Sequence, residues 1–331
     1  MKLKLRGEQL KELLECIKPD DRVVVPPLIG YDAGVHRLGD QIVVVAADPC
    51  SGVPEEWFGW LLINYAASDV ALSGAKPQFC TVTLLGPRPT EPRRFQTIME
   101  QTCKAADELG IAIVRGHTGM YDSLKEMLGV CTVYGTASPR RLITSGGAKA
   151  GDLILCTKPL GFETIINYAL THKEKAAKLF GAKRQLELAA MVYMQSCVKE
   201  ALQLADVEGV DAMHDATEGG FVSALNELAG ASKVGLRVNW ESIPVPSEVW
   251  ALKTCFGLSD EQLLAMSSSG TILAAISPKA KLTVVDALDK LGLKASFIGH
   301  FTAKDRIFVR GKKTLEFPSI AEDPYTAVMS C

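Results

Sequence analysis

Three aspartates in the first half of the chain could bind a metal ion together. Asp32 lies in GYDAGV, Asp48 follows the apolar run IVVVAA, and Asp69 lies within NYAASDVALSG. A carboxylate in or beside an apolar segment is unfavourable unless it is solvated, paired or bound to a cation. Magnesium takes carboxylate oxygens and keeps positions open for phosphate. Together the aspartates therefore predict a magnesium site, although each alone could be an ordinary turn or helix residue.

A second group of reactive side chains occurs in MHDATEGG, directly before the apolar helix pattern FVSALNELAG. A helix N-terminus attracts anions, and a simple cap would explain Asp215 and the glycines. A cap does not need His214, Asp215 and Glu218 together, so the segment favours a site. His214 and Glu218 are candidates for proton transfer, because burial and neighbours can tune an imidazole or a carboxylate toward neutral pH.

Three further segments are weaker signals for a phosphate site. In RGHTG, glycines would let the backbone approach a ligand, and His117 could bind a metal, accept a proton or fill a loop. Lys158 in TKPLG could contact phosphate or be a surface lysine. The run SSSGT at residues 267–271 could be a substrate or phosphate loop, but taken alone it favours a flexible turn.

The elements that must position these residues alternate between strands and helices. Apolar runs predict strands at residues 41–47, 78–85, 111–115 and 128–137, with helices at 56–73 and 93–109 between them. The Gly-rich stretch TSGGAKAG at residues 144–151 is the clearest junction. The pattern predicts a mixed α/β (α+β) fold in two domains, residues 1–150 and 151–331.

Composition excludes several classes of protein. The chain has 331 residues, of which 47% are hydrophobic and 22% charged, so it is neither disordered nor a coiled coil. A net charge of −2 gives no general attraction to nucleic acid or to an anionic membrane. The nine cysteines include no CxxC pair, which argues against a zinc site. Short apolar runs and the absence of a signal-like start predict a cytoplasmic protein.

Taken together, these segments resemble one known family. The chain is similar to the aminoimidazole ribonucleotide synthetase-related (PurM-like) superfamily, and within it to the hydrogenase expression/formation (maturation) proteins and their relatives. The similarity runs in family order over nearly the whole chain. It is carried by GYDAGV, AADPCS, NYAASDVALSGAKPQF, RGHTG, ITSGGAKAGDLILCTKPLG, MHDATEGGFVSALNELA, SSSGTILAAI and IGHFTAKDRIFV.

The resemblance implies an ATP-binding N-terminal domain whose sheet pairs across a homodimer, and a C-terminal α+β domain that closes over the nucleotide. ATP and Mg²⁺ are the implied cofactors. The family's metal positions fall on Asp32, Asp48 and Asp69. The positions that contact nucleotide or substrate fall on Asp32, Gly116, His117, Thr118, Lys158, His214, Asp215, Glu218 and Gly219. His117 stands where the family usually has an acidic residue.

The implied reaction is ATP-driven dehydration of a carbamoyl group carried on a C-terminal thiol. Cys331 is the terminal residue of this chain and is the candidate carrier, which would require a carbamoyl-transferring partner. An incidental thiol is the alternative. Two other functions stay open at this point: a small-molecule kinase or amidine-forming synthetase of the same superfamily, and an ATP-binding scaffold that has no turnover.

Overall fold

A computed structural model of the chain describes residues 7–138 and 141–330. Its first part is a six-stranded sheet in the order β1-β2-β3-β6-β4-β5, in which only β4 and β5 are parallel. The elements are α1 (Gly7–Glu15), β1 (Val23–Val25), β2 (Gly34–Leu38), β3 (Gln41–Cys50), α2 (Phe58–Leu72), β4 (Lys76–Pro87), α3 (Pro92–Leu109), β5 (Ala112–Tyr121) and β6 (Leu128–Ala137).

The second part is a seven-stranded sheet in the order β13-β12-β9-β11-β7-β10-β8. Its strands are β7 (Leu153–Cys156), β8 (Val210–Ala216), β9 (Gly235–Asn239), β10 (Ser268–Ile276), β11 (Ser296–Thr302), β12 (Arg306–Arg310) and β13 (Lys313–Glu316). Its helices are α4 (Phe162–Thr171), α5 (Lys173–Phe180), α6 (Ala182–Ala189), α7 (Val198–Ala205), α8 (Gly220–Ala231), α9 (Ser247–Phe256), α10 (Asp260–Leu264), α11 (Lys281–Asp289) and α12 (Tyr325–Met329). The predicted mixed α/β class is confirmed.

Helix α2 joins the two sheets into one core. It packs on β3 and β6 of the first sheet, on α3, and on α7 and β8 of the second part. A helix enclosed on all sides is expected to be apolar around its whole circumference. The sequence FGWLLINYAASDVAL meets that expectation, since nearly all of its residues are buried. Asp69 is its single charged residue, so the fold places this carboxyl in the interior.

The first sheet has one covered and one open face. In β6, buried residues alternate with half-buried ones, as expected for a sheet with a single covered side. Strand β5 lies at the edge of the sheet, and nearly all of its residues are exposed or half-buried. Four large apolar side chains, Phe79, Val114, Met120 and Tyr121, are at least two-fifths exposed on β4 and β5. These side chains make this edge of the first sheet an apolar surface.

Among the residues that the structure describes, no helix combines the length and the apolar character needed to cross a membrane.

Glycine at position 135 is required by the close pairing of β6 with β4. A Cβ atom there would lie 1.9 Å from the carbonyl oxygen of Lys76. We therefore expect Gly135→Ala to lower the free energy of unfolding by about 1–3 kcal/mol in denaturant titrations. Gly230→Ala is the matched control, because a Cβ there meets nothing within 4 Å and lies in helix α8. It should raise stability by about 0.5–1 kcal/mol. Equal effects of the two substitutions would contradict this account.

Candidate functional site

Four aspartates from separate elements converge beside helix α2. Asp32 precedes β2, Asp48 lies in β3, Asp69 in α2 and Asp215 in β8. Burial raises the pKa of the Asp69 carboxyl well above its ordinary value, and the nearby carboxylates of Asp48, Asp215 and Asp32 raise it further. Asp69 also shares a hydrogen bond with Asp48. The structure thus brings together the three predicted aspartates, and it adds Asp215 from the second motif.

Strand and helix geometry explain why Asp48 faces Asp69. The buried residues of β3 alternate with more exposed ones, and Asp48 shares the face of Val44 and Ala46 that packs on α2. Directly across the sheet, Asp48 pairs with Cys131 of β6. The side chain is therefore directed toward the helix layer, where Asp69 lies.

This cluster has the donors that a hard cation prefers. Oxygen atoms of Asp32 and Asp215 lie within 4.8 Å of each other, and the carboxyl groups of Asp48 and Asp69 are close by. Carboxylate oxygens are the usual ligands of Mg²⁺. Like charges held together in a partly dry site repel, so a bound cation would offset a repulsion that the fold itself creates. The residues present therefore fit a magnesium ion.

His214 is buried among acidic groups and joins three segments. Its Nε2 lies 2.8 Å from Oε2 of Glu227 in α8 and 3.2 Å from Oδ1 of Asp32, and its Nδ1 lies 2.7 Å from the carbonyl oxygen of Asp215. Burial alone would lower the pKa of the imidazole, but the Asp32 and Glu227 carboxylates outweigh burial and raise it to about 10. The ring is therefore an imidazolium at neutral pH, and both nitrogens donate.

That protonation state changes the role predicted for His214. An imidazolium has no lone pair for a metal, so any cation here would be held by carboxylates. A group with this pKa is also a poor acceptor of protons near neutrality. The geometry instead fits a buried cation that fastens the Asp32 loop to β8 and α8. The other residue predicted for proton transfer, Glu218, is half-buried in the turn before α8.

The two glycines after Glu218 are explained by backbone geometry. Gly219 and Gly220 both have positive φ angles, of +85° and +53°. A Cβ at Gly220 would lie 2.5 Å from the carbonyl oxygen of Met266. The amide of Gly219 donates to Oδ2 of Asp323 at 2.9 Å. Sequence reasoning missed Asp323, because nothing in its local sequence connects it to a motif so far away.

Lys158 lies in a buried network of its own. Its ammonium group donates to the carbonyl oxygens of Met194 at 2.8 Å and Ser196 at 2.7 Å, and it forms an ion pair with Glu200. The side chains of Lys158 and Glu200 are 3% and 6% exposed. Since an ammonium has three donors and these contacts engage all of them, the geometry argues against the predicted phosphate contact.

The segment RGHTG is part of a strand rather than a loop. Gly116, His117 and Thr118 lie in the middle of β5, which runs from Ala112 to Tyr121. Gly116 pairs with Val82 on the face of the sheet that also carries Asp48, and a Cβ there would lie 2.7 Å from the Val82 carbonyl oxygen. His117 therefore lies on the opposite, open face, with its Nε2 3.3 Å from the Tyr121 hydroxyl.

The serine run is likewise a strand and not a flexible turn. Residues 268–276 form β10 and are buried throughout. Ser269 donates from its hydroxyl to Glu163 at 2.6 Å, and Ser268 accepts from the amide of Gly161 at 2.7 Å. These hydroxyls are engaged by the protein itself. The candidate carrier Cys331 lies outside the described residues.

Two family models match the chain. Residues 30–137 match the N-terminal domain, and residues 149–312 the C-terminal domain, of the AIR synthase related protein. Both matched ranges include residues of the acidic cluster, Asp32, Asp48 and Asp69 in the first and Asp215 in the second.

Individual relatives agree with that match. The selenide, water dikinase of Myxococcus xanthus is 28% identical over 91% of this chain and 91% of its own. The carbamoyl dehydratase HypE of Rhizobium leguminosarum bv. viciae is 25% identical over 76% of this chain and 70% of its own. A crystal structure of the hydrogenase maturation protein HypE in complex with ATP superposes with a TM-score of 0.71 at 18% identity. It covers 94% of this chain and 91% of its own.

Replacing His214 tests its role as a buried cation. We expect His214→Ala to lower the free energy of unfolding by about 3–5 kcal/mol, because it leaves Asp32 and Glu227 beside each other without the charge between them. Denaturant titration at neutral pH measures this. His300→Ala is the control, since His300 is exposed on β11, and it should change stability by less than about 0.5 kcal/mol. If His214→Ala lowered the free energy of unfolding as little as the control does, His214 would not be the buried cation that holds the Asp32 loop.

Proposed function

This chain belongs to the AIR synthase-related family, and we propose that it is an ATP-dependent enzyme that binds its nucleotide with Mg²⁺. The observation that carries the proposal is the convergence of Asp32, Asp48, Asp69 and Asp215 beside α2. Four carboxyl groups that share a largely buried site repel one another and destabilise the fold unless a cation binds between them. Clusters of this kind are typical of functional sites. The ATP complex of the fold relative HypE supports the nucleotide, and the word dikinase in the name of one sequence relative denotes phosphotransfer.

The metal reconciles an acidic site with a polyanionic ligand. The triphosphate of ATP would be repelled by these carboxylates if it approached them directly. Asp32, Asp48 and Asp69 would hold Mg²⁺, which neutralises phosphate oxygens when bound. The chain's own residues supply the rest: His214 fixes the Asp32 loop, and the glycine turn before α8 sets the position of Glu218.

For the reaction, we propose activation of a carbamoyl or amide oxygen, as the name of the Rhizobium relative suggests. ATP would phosphorylate the oxygen of a carbamoyl group carried on the Cys331 sulfur. ADP would leave in this transfer, and one N–H proton would pass to solvent. The C–O bond would then break, phosphate would leave with the bonding electron pair, and loss of the second N–H proton would give the C≡N bond of a thiocyanate. Glu218 accepts a proton in this step. A carbamoyl-transferring protein partner would load the thiol.

A phosphotransfer reaction on a small molecule is the second candidate. The observation that favours it is coverage, because the selenide, water dikinase matches 91% of this chain whereas the carbamoyl dehydratase matches 76%. An ATP-binding scaffold is the third reading, and release of ADP in the presence of a carbamoyl or phosphate acceptor would exclude it.

We also propose that the protein is a homodimer built on the first sheet, with the nucleotide carried by residues 1–150 and the other wall of the cleft by residues 151–331. The support is the long edge strand β5 and the exposed Phe79, Val114, Met120 and Tyr121 beside it. Unpaired strand edges with apolar side chains are normally covered by another chain. Light scattering that finds a monomer at micromolar concentration would contradict this.

Calorimetric titration of ATP with and without Mg²⁺ tests the metal site. We expect Asp48→Asn to weaken binding in the presence of Mg²⁺ by at least about tenfold, because loss of a group at a metal centre has effects of this size. Binding without Mg²⁺ should not weaken. Asp206→Asn is the control, because Asp206 forms an exposed ion pair with Arg141. Unchanged Mg²⁺-dependent binding in Asp48→Asn would remove the metal role of this residue.

Mass spectrometry of the C-terminal peptide tests the reaction. After incubation with ATP, Mg²⁺ and a carbamoyl-transferring partner, Cys331 should carry a carbamoyl-derived group whose dehydration requires ATP. The dehydrated form should be absent from Glu218→Gln. Peptides with the exposed Cys103 and Cys255 serve as internal controls and should stay unmodified. An unmodified Cys331, with ATP consumed on a free small molecule, would favour the phosphotransfer reaction instead.

A further inference from the structure

The C-terminal segment after β13 is docked on the second part of the molecule. Phe317, Ala321, Tyr325 and Val328 are all buried, and Val328 has no exposed surface. The family model ends at residue 312, so this segment lies beyond the matched domain. Its contacts are therefore features of this chain that the family match does not assign.

Asp323 connects the docked segment to two parts of the site. Its Oδ2 accepts a hydrogen bond from the amide of Gly219 at 2.9 Å and another from the hydroxyl of Ser267 at 2.6 Å. Its Oδ1 accepts from the amide of Tyr325 at 2.9 Å. One carboxylate thus joins the turn after Glu218 to the residue that precedes β10.

The turn has one backbone hydrogen bond of its own, from the amide of Gly220 to the carbonyl oxygen of Thr217 at 2.9 Å, but no side-chain cap. Gly219 occupies the N-cap position of α8, with a left-handed backbone and no side chain that could cap the helix. Helices of this kind normally take a Ser, Thr, Asp or Asn there, whose side chain bonds a free amide at the helix start. Two successive glycines also have the most backbone freedom to lose. Asp323, 104 residues further along the chain, accepts from the amide of Gly219 itself and so holds the residue that precedes the helix.

The tail has a second attachment that does not depend on Asp323. The hydroxyl of Tyr325 accepts a hydrogen bond from Nδ2 of Asn167 in α4 at 3.0 Å. Val328, three residues further along the chain, is completely buried. The segment can therefore stay docked when the Asp323 carboxylate is removed. The effect on the glycine turn can then be separated from loss of the whole tail.

We propose that Asp323 is a positioning residue of the site: it fixes the turn at residues 217–220 from the C-terminal tail and thereby places Glu218. The consequence for turnover rests on the ATP-dependent function proposed above. The anchoring itself does not, because it follows from the contacts of the carboxylate with Gly219 and Ser267.

Amide hydrogen exchange followed by mass spectrometry tests the anchoring on the full chain. In Asp323→Ala, peptides that cover residues 217–220 should exchange at least about tenfold faster than in the unsubstituted protein, because local opening becomes easier. Asp323→Asn should lie between the two, since its amide oxygen can still accept from Gly219. Glu322→Gln, at an exposed neighbour, and Tyr325→Phe, which loses only the Asn167 contact, should leave exchange at this turn unchanged.

Turnover measured on the same variants separates positioning from general stability. Asp323→Ala should lower kcat for ATP hydrolysis at least about tenfold, since small displacements of a reacting group have effects of this size. The Kd for ATP with Mg²⁺ should change by less than about threefold, because the aspartate cluster is intact. Asp323→Asn should recover part of kcat.

Unchanged exchange at residues 217–220 in Asp323→Ala would overturn the proposal whatever the turnover. Faster exchange with an unaltered kcat would show that the turn does not need this anchor for function, and it would overturn the positioning role. If the unsubstituted protein neither binds nor hydrolyses ATP, the proposed function fails, and the exchange measurement alone decides whether Asp323 holds the turn.

Discussion

The electrostatic balance between His214 and the carboxylates around it is the interaction on which the rest of the site depends. Asp32 approaches from the loop before β2, Asp215 from β8 and Glu227 from α8, and the imidazolium is the positive charge among them. That charge lies between the Asp32 and Glu227 carboxylates, where the loop before β2 meets the second part of the molecule. The acidic cluster then exists because α2, buried on every side, brings Asp69 to the same place.

The acidic cluster lowers the stability of the folded state. Burial and like charge raise the pKa of Asp69, which means that the folded state disfavours its ionised form. An apolar or amide side chain would fit the interior of α2 with less electrostatic penalty. The proposed cation explains why a carboxyl group stands at this position. Lys158 cannot compensate its negative charge, because Lys158 forms an ion pair with Glu200.

Residues distant in the chain hold the glycine turn before α8, which its own sequence fixes only weakly. The glycine turn before α8 satisfies a steric demand, because Met266 leaves no room for a side chain at Gly220. The same glycines leave the helix without a side-chain cap, and the Asp323 carboxylate of the tail holds the amide of Gly219 just before the helix. Strand β5, at the edge of the first sheet, has no neighbouring strand on one side, and apolar side chains remain exposed there.

The sequence determined the fold class and three of the four aspartates of the acidic cluster. Apolar periodicity predicted four of the six strands of the first sheet and the helices α2 and α3. Asp32, Asp48 and Asp69 were identified because a carboxylate in or beside an apolar run is unfavourable unless it is solvated, paired or bound to a cation. It could not determine which side of a strand His117 faces, since that depends on pairing with β4. Nor could it separate a phosphate-binding lysine from Lys158 in a buried ion pair, or connect Asp323 to Gly219. Local propensity and periodicity act over a few residues, whereas charge state, burial and hydrogen-bond partners are set by groups distant in the chain that only the tertiary structure brings into contact.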